Sequence, residues 1–419
     1  MAENDDNRLC DDEELSTLSE KLASMPFDNN YVAPPAPGYD TAGLWHCFEA
    51  NKRSDAATYA RGLGWVLDRE LGIQTQLVPH RYMDIDSDLF PSDRSSDLVR
   101  WERTVVGKPG LLIANFSPRD AFDMSKMGPP VIPYFDVDSP DVSPDVVSLC
   151  NAADVFKKVW VTHSAGAQAL YAAGVDEERV AVIPPLLCGG PWPKWRERPE
   201  GDGTFTFGSM GPWQTNQRAF EDIANAYFSM FVRGDNVLLS IRTHSVHDND
   251  TVRSTIDRIK ADLSVVAERN GYKPLTSKDE SRPTIRLIVG AGTDEDVVDW
   301  LSGLDGYVDG SLGLGLRVPS VWAKAQGVPM IASSRGAVGD LLLSVREAGG
   351  ECDDILEVQG HADLHSALVS AMTHLGADRF DEVGAAATMQ AYGVARVRDA
   401  VREELSEVLG DYYGEIRRQ

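Results

Sequence analysis

The chain has 419 residues, 65 of them acidic and 40 basic, for a formal charge of −25, and 42% are hydrophobic. That length holds two globular domains with separate cores, and the acid excess excludes strong non-specific nucleic-acid binding while leaving room for a local arginine-lined pocket. Five scattered cysteines with no Cys-x-x-Cys pair, an acidic start without an apolar core and no apolar run of membrane length predict a reduced, cytoplasmic protein with no zinc site, disulfide framework or membrane insertion.

Residues 1–38 combine an acidic tail, a short amphipathic stretch and Val32-Ala-Pro-Pro-Ala-Pro-Gly38, and read as an extension without chemistry. From there apolar runs alternate with helical spacing. Strands are expected at 44–48, 75–79, 110–115 and 131–135, with a helix over 55–71. A strand, a helix and a glycine stop follow over 159–176, then a strand from Arg179. Residues 189–203 hold glycine, proline and charge without periodicity and form the expected linker. Strands at 204–210, 236–243 and 284–289 then alternate with helices over 217–231, 250–268 and 294–301, and helices over 362–375 and 391–416 close the chain. Such alternation predicts parallel sheets covered by helices. The expected organisation is an extension (1–38), a first Rossmann-like domain (39–188), the linker, a second Rossmann-like domain (204–390) and a closing helical segment (391–419).

The most informative stretch runs from Tyr307 to Ala332: strand, glycine turn, helix, glycine stop and buried strand in succession. Gly310, Gly313 and Gly315 permit a tight turn and close approach to a ligand. Pro319 suits a first helical turn, whose free amides favour an anion, and Gly327 ends the helix.

Ser311, Gly315, Pro319, Ala323, Ala325, Gly327, Pro329 and Ile331 resemble the donor-binding motif of family-four GT-B glycosyltransferases. The strand, helix, Gly-Val and Val-Ile-Pro of 159–184 resemble that family's last amino-terminal unit. The resemblance is recognisable over roughly 110–345. It implies an α/β GT-B fold: two doubly wound parallel-sheet domains facing across a cleft, with the last helix crossing back to the first domain. Laid on the motif, Leu314 and Trp322 stand where the family carries its two glutamates, and Asp309 is the nearest candidate to replace them. The family's diphosphate lysine falls at Arg218 and its partner arginine at Trp213.

The donor-binding candidates are Ser209, Arg218, Arg242, Gly290, Ser311, Gly313, Leu314, Gly315 and Arg317. Arg242 ends a strand at the carboxyl edge of the expected sheet, and Gly290 opens a turn between strand and helix. In the first domain, Asp136 and His46 are the catalytic candidates, while Arg53, Ser117 and Asp138 are candidates for holding the acceptor. Adjacent acidic residues on a loop are more often merely solvated, and a histidine in an apolar strand is more often a core residue. No metal ligands and no bound cofactor are expected; the nucleotide sugar is itself a substrate.

The implied activity is sugar transfer from a nucleotide-sugar donor to an acceptor hydroxyl, retaining and metal-independent, the acceptor being a glycan, a small molecule or a modified base. Two alternatives stand beside it. One is a non-catalytic protein of the same fold that binds a nucleotide sugar or glycan, motivated by the two lost glutamates. The other is transfer to a modified nucleic-acid base, which the acid excess disfavours.

Overall fold

A computed structural model describes residues 43–48, 54–79, 101, 106, 110–126, 129–192, 203–244, 251–290, 292–311, 313–349, 354–356 and 381–409. All of these belong to one compact unit, Ala42–Gln419. The extension and the helix expected over 362–375 lie outside the described residues.

The first half contains β1 (Leu44–Phe48), α1 (Asp55–Trp65), β2 (Thr75–Pro79), β3 (Leu111–Ala114), α2 (Pro118–Ser125), β4 (Val131–Phe135), α3 (Pro144–Asn151), β5 (Val159–Val161), α4 (Ser164–Ala172) and β6 (Val180–Val182). The second contains β7 (Phe205–Pro212), α5 (Trp213–Met230), β8 (Val237–His244), α6 (Val252–Arg269), β9 (Thr284–Val289), α7 (Asp294–Ser302), β10 (Gly306–Asp309), α8 (Val318–Ala325), β11 (Met330–Ser333), α9 (Gly336–Glu347), β12 (Asp354–Leu356), α10 (Glu382–Ala391) and α11 (Val394–Leu409).

The strand orders are β2-β1-β3-β4-β5-β6 and β12-β11-β10-β7-β8-β9, and the ladders in both sheets are parallel. Strands such as Leu-Leu-Ile-Ala at β3 and Val-Trp-Val at β5 are apolar throughout and wholly buried, as strands covered on both faces must be. Each order reverses direction once, between β1 and β3 and between β7 and β10, and open α/β sheets bind ligands at the strand ends beside such a switch.

Local signals set the helix ends. Ser54 caps α1 by accepting from Ala57 N, Thr293 and Asp296 form a capping box on α7, and Gly327 at φ +74° lets the chain leave α8 for β11. The expected helix over 55–71 is α-helical only to Trp65 and then widens to a π turn, Val66–Glu70.

The closing helix crosses back as expected. Lys158 of the first half lies 3.4 Å from Glu404 and 2.7 Å from Glu407 on α11, and Arg398 lies 3.7 Å from Glu70. The amides of Leu187 and Cys188 both donate to Tyr392 O. One hydrophobic cluster runs through both halves and includes Tyr59, Leu186 and Trp192 with Leu316, Val318 and Trp322. No described helix is long and apolar enough to cross a membrane.

Candidate functional site

The loop after β10 is built by its own polar groups. Asp309 accepts from Ser311 N (2.9 Å) and from Ser320 Oγ (2.6 Å), so one carboxylate ties the loop's start to the first turn of α8. Both oxygens are engaged and the residue is buried, which removes Asp309 as a substitute for a lost motif glutamate. Ser311 Oγ accepts weakly from Gly313 N and from Arg317 Nη2, both at 3.4 Å.

Neither Gly310, Gly313 nor Gly315 takes a positive φ. Their role is close approach rather than an unusual turn. A Cβ on Gly310 would sit 3.0 Å from Ala219 Cβ and Ile223 Cδ1, and one on Gly315 would overlap Asp138 and lie 2.7 Å from Asp136 Oδ2.

Those two aspartates follow β4 in the first half. Asp136 Oδ1 accepts from Thr162 Oγ1 (2.6 Å) and lies 2.8 Å from His163 Nε2. His163 caps α4, its Nδ1 accepting from Gly166 N (2.9 Å), which fixes the tautomer with hydrogen on Nε2, facing Asp136. That contact is short but off the line of a good hydrogen bond.

The acidic loop and the glycine loop meet directly. Leu314 N donates to Asp138 O (2.8 Å) and Leu316 N to Asp136 Oδ2 (3.1 Å), and the Val318 N–H favours the charged form of the Asp55 carboxylate at the start of α1. Residues 313–315 bend just before α8, and the Leu314 and Leu316 amides both point to the first half. Tyr59 OH closes the contact by donating to Leu316 O (2.5 Å). Arg317, its side chain 31% exposed, lies 3.7 Å from Asp138 Oδ1.

Charge is concentrated here. Burial raises the Asp55 pKa to about 7, with Asp136 and Asp138 adding to the rise and Arg317 and Val318 N–H opposing it. Burial also raises Asp138, again against Arg317. For Arg317 burial works against the charge, yet Asp55, Asp138 and Asp309 raise its pKa above the usual value.

Leu314 and Trp322, which the resemblance sets at acidic positions, are both taken up in packing. Leu314 packs against the first-half cluster around Val137. Trp322 is buried, donates from Nε1 to Leu187 O (2.9 Å) and lies 5.9 Å from the Trp192 ring. Beside it, between Ser54, Asp55 and Thr58 on one side and His244, Thr293 and Val318 on the other, is a cavity of about 70 Å³.

The other candidates are placed as follows. Arg242 is buried at the end of β8 and donates from Nη1 to Asp296 O (2.9 Å), bracing the Gly292–Asp296 turn. Gly290 takes φ +132° and donates to Thr243 O, so it is needed where β9 ends. Ser209 is buried within β7. Arg218 lies on α5 with its side chain outside the described residues, as does Arg53 entirely. Trp213 is fully buried and donates to Asp262 (2.8 Å), away from the loop.

Two first-half candidates are structural. His46 has no exposed surface; its Nε2 pairs with Asn115 Oδ1, and burial lowers its pKa to about 4, so it is a neutral core histidine rather than a catalyst facing solvent. Ser117 caps α2, accepting from Asp120 N and donating to Asp120 Oδ2 (2.7 Å). The sequence reading missed Asp55, Tyr59, Thr162 and His163. Asp55 directly follows a helix-capping serine, the one local sign that it stands at the edge of a sheet.

No protein-family model matches the chain, and no curated protein matches it by sequence. Solved structures do. A sucrose-phosphate synthase from Thermosynechococcus elongatus is similar over 88% of this chain and 100% of its own, with TM-score 0.61 and 12% identity. Anabaena HepE, solved with UDP, is similar over 87% of this chain and 100% of its own, with TM-score 0.58 and 12% identity. A UDP-forming trehalose-phosphate synthase from Burkholderia vietnamiensis covers 88% of this chain and 100% of its own, with TM-score 0.54 and 11% identity. These likenesses, together with the two parallel sheets, show the GT-B fold.

Proposed function

We propose that the chain transfers a sugar from a nucleotide-sugar donor to an acceptor hydroxyl. One observation carries the reading: the amides of Leu314 and Leu316 and the Arg317 guanidinium form a row of donors just before α8, beside the second sheet's switch point and facing the first half. Such a row suits a diphosphate leaving group, because fixed main-chain donors and a guanidinium meet the developing negative charge without rearranging. HepE has been solved with UDP-glucose and with UDP plus glucose, which supports a nucleotide sugar as the probe to try first.

In this reading residues 204–390 hold the donor, with Arg218 and Arg317 supplying positive charge, and residues 39–188 hold the acceptor through Asp138 and Arg53. Asp136 positions the acidic loop, since its contacts with Thr162, His163 and Leu316 N already engage it. Retention of configuration and independence of a metal ion follow the family that the motif resembles. Binding of a nucleotide sugar or glycan without turnover is the second reading, favoured by Leu314 and Trp322, whose side chains are committed to packing against the first half.

Calorimetry with a panel of nucleotide sugars, followed by detection of free nucleotide and transferred sugar, separates the readings. Transfer expects binding, release of nucleoside diphosphate and loss of both in Arg317→Ala. Binding without release on any acceptor supports the second reading. If no nucleotide sugar binds, the donor assignment fails.

A further inference from the structure

Two of the amides beside the site proposed for a phosphate are already taken, both by aspartates of the first half: Leu314 N by the Asp138 carbonyl and Leu316 N by the Asp136 carboxylate, while the Asp55 carboxylate lines the same small cavity as Val318. Gly315 permits this seating, since a side chain there would strike both Asp136 and Asp138. Arg317 is likewise turned to Asp138. Resting on the donor reading above, we infer that Asp55, Asp136 and Asp138 form an internal latch, which occupies the anion loop in place of phosphate and must release it before a nucleotide sugar enters.

The exclusion is both geometric and electrostatic. One amide hydrogen serves one good acceptor at a time, so a phosphate oxygen and an aspartate oxygen compete for the Leu314 and Leu316 amides. Three carboxylates around one guanidinium also leave net negative charge, which repels a diphosphate at short range. Opening need only part the 136–138 loop and the head of α1 from 314–318. The ties resisting it include Tyr59 OH to Leu316 O, Ser164 Oγ to Asp340 Oδ2 (2.7 Å), Trp322 Nε1 to Leu187 O and the shared apolar packing of Tyr59 and Trp192 with Leu316, Val318 and Trp322.

Asp55 is the element of the latch to alter. It faces Arg317 and Val318 from the second half, Asp136 and Asp138 from the loop after β4, and Tyr59 on its own helix, with His163 behind Asp136. A bound diphosphate would hold Asp55 more firmly protonated than the latch does, so binding takes up a proton and strengthens as pH falls toward about 7 from the alkaline side, levelling off below it.

The test uses the full chain and UDP-glucose, whose phosphates are diesters and do not titrate near neutrality. Hydrogen exchange gives a readout that needs no ligand: Asp55→Ala is expected to speed exchange of the 314–318 amides at least several-fold while leaving β7 and β8 unchanged. By calorimetry Asp55→Ala is expected to tighten binding about tenfold, and the isosteric Asp55→Asn to flatten the pH dependence seen in the wild type. Unchanged exchange at 314–318 overturns the latch whatever the ligand does. Altered exchange with binding equal to or weaker than wild type also overturns it, because Asp55 then assists the ligand or is indifferent to it, and the donor reading stands. Altered exchange with no binding by wild type or variant removes the donor reading and with it the latch's stated purpose.

Discussion

Gly315→Ala tests the seating of the two loops directly. The added methyl overlaps Asp138 and lies 2.7 Å from Asp136 Oδ2, inside the 3.0 Å that Cβ contacts essentially never breach. Asp138 yields easily, its side chain being 64% exposed. Asp136 does not, because Thr162 Oγ1 at 2.6 Å and His163 at 2.8 Å hold its other oxygen. The methyl therefore lifts Leu316 N off Asp136 Oδ2 or strains the acidic loop, and a buried amide left unpaired costs about 1–3 kcal/mol, a range that overpacking shares. We expect a loss near 2 kcal/mol in urea unfolding followed by tryptophan fluorescence, about 2 being the middle of that range. Gly313→Ala is the control: its nearest neighbour would be Asp138 O at 3.3 Å, so a cost below about 1 kcal/mol is expected. Equal effects of the two alanines would show that Gly315 does not rest on the aspartates, and the site as described would be wrong.

A second prediction concerns the ion pair of Lys324 on α8 with Asp381, which caps α10; both side chains are buried. Asp381→Ala strands a buried ammonium and removes the cap, and is expected to cost about 3–5 kcal/mol in denaturant unfolding, while Lys324→Met in that background recovers at least about 1 kcal/mol. No recovery would show the pair to be uncoupled. Third, because Asp55 has a folded pKa of about 7 against an ordinary 3.8, the folded state holds the extra proton between these values; stability is full at the acid end and falls as pH rises toward 7. Thermal unfolding at a series of pH values should show this slope in the wild type and a shallower one in Asp55→Asn; parallel slopes would refute it. Fourth, Arg317→Ala should weaken UDP-glucose binding at least about tenfold, the share of one charge-assisted contact, and an unchanged Kd would place the phosphate elsewhere.

The fold was largely legible because its strands are short apolar runs covered on both faces, so burial alone marks them: β1, β3, β4 and the strand pair flanking α8 all fall where apolar patterning put them. The helices α2 and α3 were not, since each opens on a proline after a serine, which reads as a turn when no neighbouring strand is known to lie beneath. Within the site, Arg317 and the glycine loop are contiguous and were visible. Asp55 lies more than 250 residues from Val318, with which it lines one cavity, and nothing local announces that juxtaposition. Asp309 was chosen for its closeness in sequence, but that closeness is why it is unavailable: a carboxylate at a strand end bonds first to the amide two residues on and to the hydroxyl of the next helix turn.

The same topology accounts for Leu314 and Trp322. A side chain lining an open cleft must satisfy solvent or ligand, and there a carboxylate serves well. A side chain pressed against the opposing half must be apolar or bring its own partner, as Leu314 does against the Val137 cluster and Trp322 does through Leu187 O. Meanwhile Asp309 is spent inside the loop, and the other carboxylates beside it, Asp55, Asp136 and Asp138, belong to the first half. These acidic groups stand on the opposite wall, where they touch the loop. Placing a glutamate at 322 would therefore not create an open wall. It would bury a carboxylate beside Trp192 and leave Leu187 O without its donor, so Trp322→Glu is expected to destabilise the chain by more than about 3 kcal/mol without improving UDP-glucose affinity. Tighter binding by that variant, measured by calorimetry on folded protein, would mean that position 322 faces ligand and that the packing described for it is not what decides its identity.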